Sequence, residues 1–150
     1  MDENLAILVA EDDDNDAELL KMALSRAGIN GSVWFVKNGR EAIDYLQGRG
    51  KYVDRSQYPF PKIVITDLKM PGLNGLELLE WLRSHPDCKV LPTILMSGSG
   101  LHSDVKRAYQ FGVNSYFQKP STLAELIDLM RLLKEYWMRN ELPPSQQKCA

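Results

Sequence analysis

No stretch of this 150-residue chain approaches the ~20 consecutive apolar residues that a membrane-spanning helix needs. The start, MDEN, is acidic and is followed by an apolar run of only six residues, so no secretory leader is expected. Cysteine is scarce. Cys88 and Cys149 fit neither a metal-ligand spacing nor a disulfide framework, which makes a reducing cytoplasm the default compartment. A surplus of one charge is missing too: the net charge of −2 leaves no electrostatic footprint for nucleic acid. Neither nucleic acid nor a membrane is therefore an expected partner. Low-complexity segments and internal repeats are absent. What is present is ordinary globular composition, 44% apolar and 25% charged, in a length that suits one domain with a proper core.

Five short apolar runs alternate with five amphipathic stretches. Leu5–Ala10 reads as a buried strand, and DNDAELLKMALSRAGING as a helix with acid in its first turn and Gly28 near its end. Ser32–Val36 is a second strand, and Asn38 can cap a helix through GREAIDYLQGRG. KIVITD is the third strand, and Asn74 can cap GLELLEWLRSH, which stops before Pro86. Pro92–Ser97 is the fourth strand, HSDVKRAYQFG a shorter helix ending at Gly112, and NSYFQ the fifth strand. The last helix runs from Thr122 to about Arg139, closed by Pro143 and Pro144. Strands that are continuously apolar suit a parallel sheet covered on both faces. Right-handed crossovers then give an α/β fold, a single doubly wound sandwich of five parallel strands. Arg49–Pro61 breaks the rhythm, being too long for an ordinary connection and too rich in proline, glycine and charge for a helix. ELPPSQQKCA, after Asn140, reads as a disordered tail, which makes 1–140 the domain and 141–150 the tail.

Open α/β sheets bind their ligands beyond the carboxyl ends of the strands. Glu11, Asp12 and Asp13 follow the first strand, and Asp67 ends the third. Ser97 and Gly98 end the fourth, and Lys119 and Pro120 follow the fifth. Each alone has an ordinary explanation: a solvated helix start, a turn aspartate, a loop serine, a surface lysine. Four such coincidences at successive strand ends are much harder to explain. Carboxylates, a hydroxyl and an ammonium all fall on one edge.

VAEDD, ITDLKMPGLNG, LMSGSG and YFQKP, in this order and spacing, resemble the response-regulator receiver domains of two-component signalling, over roughly residues 5 to 139. The resemblance implies a flavodoxin-like strand order, 2-1-3-4-5. It implies that Asp67 accepts a phosphoryl group from a histidine kinase or a phosphotransfer protein, as an acyl-phosphate nucleophile. Mg²⁺ would be held directly by Asp12 and Asp67, through water by Glu11, and by the backbone carbonyl of Lys69. Lys119 would pair with a phosphoryl oxygen, with Lys119–Pro120 a candidate cis bond. Ser97 and Tyr116 would be the switch residues, Ser97 turning toward the phosphoryl group and Tyr116 changing rotamer. The implied protein is a phosphoacceptor with slow autodephosphorylation and not an enzyme. Departures are small: Ser97 where threonine is also common, Glu11 in place of aspartate, and Ser121 where a larger apolar residue is frequent. The long loop before the third strand and EYW in the last helix resemble stand-alone receivers paired with phytochrome-type histidine kinases.

Two other classes fit poorly. A haloacid-dehalogenase-type phosphatase needs a second acid two residues after its nucleophile, and Lys69 stands there. A flavodoxin-like cofactor binder needs a phosphate-cradling loop after the first strand, and EDDDND repels phosphate. With no output module in view, the expected output is a phosphorylation-dependent protein contact at the fourth helix, fifth strand and fifth helix; the alternative is a phosphate relay or sink. In the last helix Leu123, Leu126, Ile127, Met130, Leu133 and Trp137 make a core stripe, and Leu129, Leu132 and Tyr136 a second one. A helix of ~18 residues is ~27 Å long and overhangs strands of five or six residues. Leu129, Leu132, Tyr136 and Trp137 are accordingly candidate interface residues of a homodimer.

Overall fold

Five strands alternate with five helices: β1 (Ile7–Ala10), α1 (Asp14–Arg26), β2 (Val33–Val36), α2 (Gly39–Gln47), β3 (Ile63–Thr66), α3 (Gly75–Ser84), β4 (Thr93–Ser97), α4 (His102–Gln110), β5 (Ser115–Gln118) and α5 (Leu123–Met138). This computed structural model describes residues 5–144 and 146–149. Residues 1–4, 145 and 150, which the expected spans 1–140 and 141–150 include, lie outside the described residues. Four of the five helices, all but α4, begin where short polar side chains cover otherwise unpaired N–H groups. Asn38 accepts from Glu41 N–H, Thr122 from Glu125 N–H, and Asn74 closes a reciprocal capping box with Glu77.

The strands are all parallel, in the order β2-β1-β3-β4-β5. Side chains alternate across each strand. Ile7, Val9, Ile63, Ile65, Ile94 and Met96 point into the layer with α1 and α5. Leu8, Ala10, Val36 and Val64 point into the layer with α2 and α3, while Leu95 packs with Leu79 of α3 and Ala108 of α4. The register places Ala10 beside Thr66, so the residues that follow them, Glu11 and Asp67, leave the sheet side by side.

Five expectations change, four of them outside the last helix. Arg49–Pro61, expected to be too rich in proline, glycine and charge for a helix, holds one turn of 3₁₀ helix at Gly50–Val53, and Tyr52 is buried against Tyr45. Tyr45 donates to the Pro59 carbonyl at 2.8 Å and Tyr52 to Glu41 Oε2 at 2.7 Å, so the loop's aromatics extend the core. The segment after Asn140 is not a free tail. Leu142 packs on the α1–α5 layer, Pro143 and Pro144 line a small cavity with Pro61 and Pro92, which precede β3 and β4, and Arg55 Nε donates to the Gln147 carbonyl at 2.7 Å. That path brings Cys149 to Cys88, and the two form a disulfide with Cα atoms 5.6 Å apart across 61 residues of sequence. Sequence spacing says nothing about a pairing made by a returning segment, so the cysteines no longer speak to the compartment. Finally, Lys119–Pro120 is trans, no cis bond occurring among the described residues; the lysine reaches its partners without the rarer isomer.

The last helix divides its two stripes. Trp137 belongs to the core at 5% exposure, in the cluster on which the returning Leu142 also packs, and so leaves the candidate interface. Leu129 is half-buried against the same cluster. Leu132 and Tyr136 stay 65% and 62% exposed. Among the described residues no helix is long and apolar enough to cross a membrane.

Candidate functional site

The carboxyl edge of the sheet gathers the polar residues. Glu11 follows β1, its N–H donating to the Val36 carbonyl at 2.9 Å; Asp67 follows β3, its N–H donating to Ala10 at 3.0 Å. Lys119 follows β5 and is tied to the Ser97 carbonyl at 2.8 Å. Backbone ladders therefore fix all three residues before their side chains are considered.

The Lys119 ammonium is the hub. It donates to Glu11 Oε1 at 2.8 Å, to Asp16 Oδ2 at 2.8 Å and to Asp67 Oδ2 at 3.2 Å. The second oxygen of Glu11 accepts from Asp13 N–H at 3.1 Å, and Oδ1 of Asp67 accepts from Leu68 N–H at 2.7 Å, which sets the plane of that carboxylate. Burial pushes the Glu11 carboxyl up, against the hydrogen bonds from Lys119 and Asp13, and the neighbouring Asp67 charge adds to the rise. Burial also opposes the charge of Lys119. Hydrogen bonds to Asp16 and Glu11, with the charge of Asp67, outweigh it and hold the ammonium above the ordinary lysine range.

Glu11, Asp12 and Asp67 offer carboxylate oxygens within 4.8 Å of one another. This all-oxygen, hard donor set fits a small divalent cation of the Mg²⁺ kind. Both Glu11 oxygens already accept hydrogen bonds, whereas Asp12 is half-buried at the mouth of an open cleft of about 460 Å³. Lys69, the expected carbonyl donor, lines that cleft with Met70, Asn74 and Arg107.

Ser97 is buried at the end of β4, and its hydroxyl accepts from Ser99 N–H of the β4–α4 loop at 3.1 Å. Tyr116 on β5 donates its hydroxyl to the Ser99 carbonyl at 2.8 Å, so both expected switch residues hold the same loop. Asp13 is exposed and caps α1 through Asp16 N–H. Asp16 is the site residue that sequence reasoning missed. In the run EDDDND it reads as helix-start charge, and its meeting with Lys119 across 103 residues of sequence leaves no local signal.

Comparison with known proteins agrees with this geometry. The family model described as response regulator receiver domain matches residues 7–131. The crystal structure of response regulator RPA3017, described as acting in red light signalling of R. palustris, is 35% identical with a TM-score of 0.89, over 94% of this chain and 99% of that one. The phosphorylated cyanobacterial phytochrome response regulator RcpA is 29% identical with a TM-score of 0.85, over 94% and 99%. The Mn²⁺-bound form of the response regulator Rcp1, whose sequence is known from Synechocystis, is 28% identical with a TM-score of 0.81, over 93% and 99%.

Proposed function

The chain belongs to the response regulator receiver domain family, and from that premise we propose that it takes a phosphoryl group on Asp67 from a phosphohistidine of a sensor kinase. The observation that carries this reading is the Asp67 carboxylate itself: oriented by Leu68 N–H, held at 3.2 Å from Lys119, and grouped with two further carboxylates. In the transfer the P–N bond of the donor breaks, a P–O bond to an Asp67 oxygen forms, and the imidazole leaves with the electron pair. Lys119 then gives an N–H to a phosphoryl oxygen in exchange for Asp67. Asp12 and Asp67 would hold Mg²⁺ directly, with Glu11 through water and Lys69 through its carbonyl. When bound, the ion offsets the repulsion between phosphoryl oxygens and the carboxylates.

The similarity to RPA3017 and RcpA supports a phytochrome-type histidine kinase as donor. The output surface is the face of α4, β5 and α5, because Ser97 and Tyr116 both hold the β4–α4 loop through Ser99. When the Ser97 hydroxyl turns to a phosphoryl group it releases Ser99 N–H, and Tyr116 is the next residue to respond. Exposed Leu132 and Tyr136 on that face suit a second copy of this chain. The test is labelling by a cognate kinase. Wild type with Mg²⁺ should take up label; Asp67→Asn and wild type with EDTA should not. Undiminished label on Asp67→Asn would overturn the assignment.

A further inference from the structure

Lys119 carries three N–H donors, and three carboxylates take them. Glu11 and Asp67 belong to the strand edge. Asp16 does not: it comes from the first turn of α1 and still makes one of the two shortest bonds to the ammonium, 2.8 Å against 3.2 Å for Asp67. The three partners differ in how readily they let go. Side-chain exposure is 6% for Glu11, 11% for Asp67 and 42% for Asp16. Water can solvate a released Asp16, whereas a released Glu11 would be a buried, unpaired charge.

From this geometry we propose that Asp16 is a positioning residue that restrains Lys119, competing with the phosphoryl group for its ammonium and so setting how tightly the phosphorylated state is held. The proposal rests on the phosphoacceptor reading above. A lysine is a compact charge on a flexible stem, and its direction is set by its partners. Glu11 and Asp16 anchor the ammonium while its third N–H points at Asp67. A phosphoryl group adds roughly −1.5 to −2 charges beside it. The ammonium can move fully onto that group only by loosening Asp16, and the Asp16 carboxylate repels the same oxygens.

The test measures beryllofluoride affinity with Mg²⁺, followed by ¹⁹F NMR, in the full chain. Asp16→Asn keeps the shape and the helix N–H bond to Asp13 but removes the competing charge. It should bind beryllofluoride about fivefold more tightly, the ratio that the upper end of a part-exposed ion pair supports. Asp16→Glu, which keeps a carboxylate on the same turn, should stay within about twofold of wild type. Asp14→Asn is the control for general charge. Asp14 lies in the same helical turn, is paired with Lys37 at 3.2 Å and does not touch Lys119, so this variant should also stay within about twofold. A purely structural role for Asp16 would move the melting temperature without tightening the ligand. Equal or weaker binding by Asp16→Asn, or an equal gain in Asp14→Asn, would overturn the restraint. Failure of wild type to bind beryllofluoride, or undiminished binding by Asp67→Asn, would overturn the phosphoacceptor reading itself, a result the Asp16 variants cannot mimic.

Discussion

At the scale of single residues, the site depends on an atom that is absent. Gly75 opens α3, and a Cβ there would overlap the backbone carbonyl of Asp67. Its obstacle is main chain, which cannot swing aside as a side-chain tip can. Gly75→Ala should cost roughly 1–3 kcal/mol by overpacking and should lower phosphoacceptance further, because the β3–α3 connection that carries Asp67 must shift. Denaturant melts and kinase labelling of the same sample measure both; wild-type labelling in a destabilised variant would separate the two effects. Far from the site, burial pushes the phenols of Tyr45 and Tyr52 above the ordinary tyrosine range, and for Tyr52 the bond to Glu41 adds to the rise. The folded state thus keeps these protons when the unfolded chain releases them. Stability from this source is intact below about pH 10 and falls as pH rises past it. Among the six tyrosines, phenolate absorbance should show a late fraction that Tyr45→Phe and Tyr52→Phe each reduce. Uniform titration near the ordinary value with the fold intact would contradict the burial argument.

At the scale of elements, α5 is the informative helix. Ile127, Met130, Leu133 and Trp137 recur at helical spacing and are buried, so one stripe is core as its period requires. Leu132 and Tyr136, one turn apart on another face, have no cover in the single chain. They border a groove of about 560 Å³ with Phe117 of β5 and Pro92. Sedimentation should find a dimer for wild type and a monomer for Leu132→Glu/Tyr136→Glu, with the fold of both unchanged because the substituted side chains are exposed. Monomers for both proteins, with and without beryllofluoride, would remove the second-copy reading.

At the scale of the whole molecule, the parallel sheet brings like charges together. Chain segments more than 50 residues apart end at one edge because every strand runs the same way: Glu11, Asp16 and Asp67 share the Lys119 ammonium, and Asp12 is grouped with Glu11 and Asp67. The uncompensated charge opposes folding, so a cation bound only by the folded state stabilises it by mass action. Millimolar Mg²⁺ should therefore raise the melting temperature of wild type, and Asp12→Ala should abolish the rise. An unchanged response in Asp12→Ala would locate the cation elsewhere.

The sequence by itself determined the alternation of strands and helices, the caps at Asn38 and Asn74, and the edge at which Glu11, Asp12, Asp67, Ser97 and Lys119 leave the sheet. Those features are written in local periodicity and in residues at element ends, and the resemblance over YFQKP and its companions added the strand order. Tertiary structure decided what local pattern cannot encode. Asp16 meets Lys119 across 103 residues of sequence. Cys149 meets Cys88 across 61 residues of sequence, where the end of the chain returns past Arg55. Trp137 is core and Tyr136 is not, because one side of α5 rests on the sheet. Each of these contacts joins segments whose separation along the chain carries no trace of their distance in space, and packing alone brings them together.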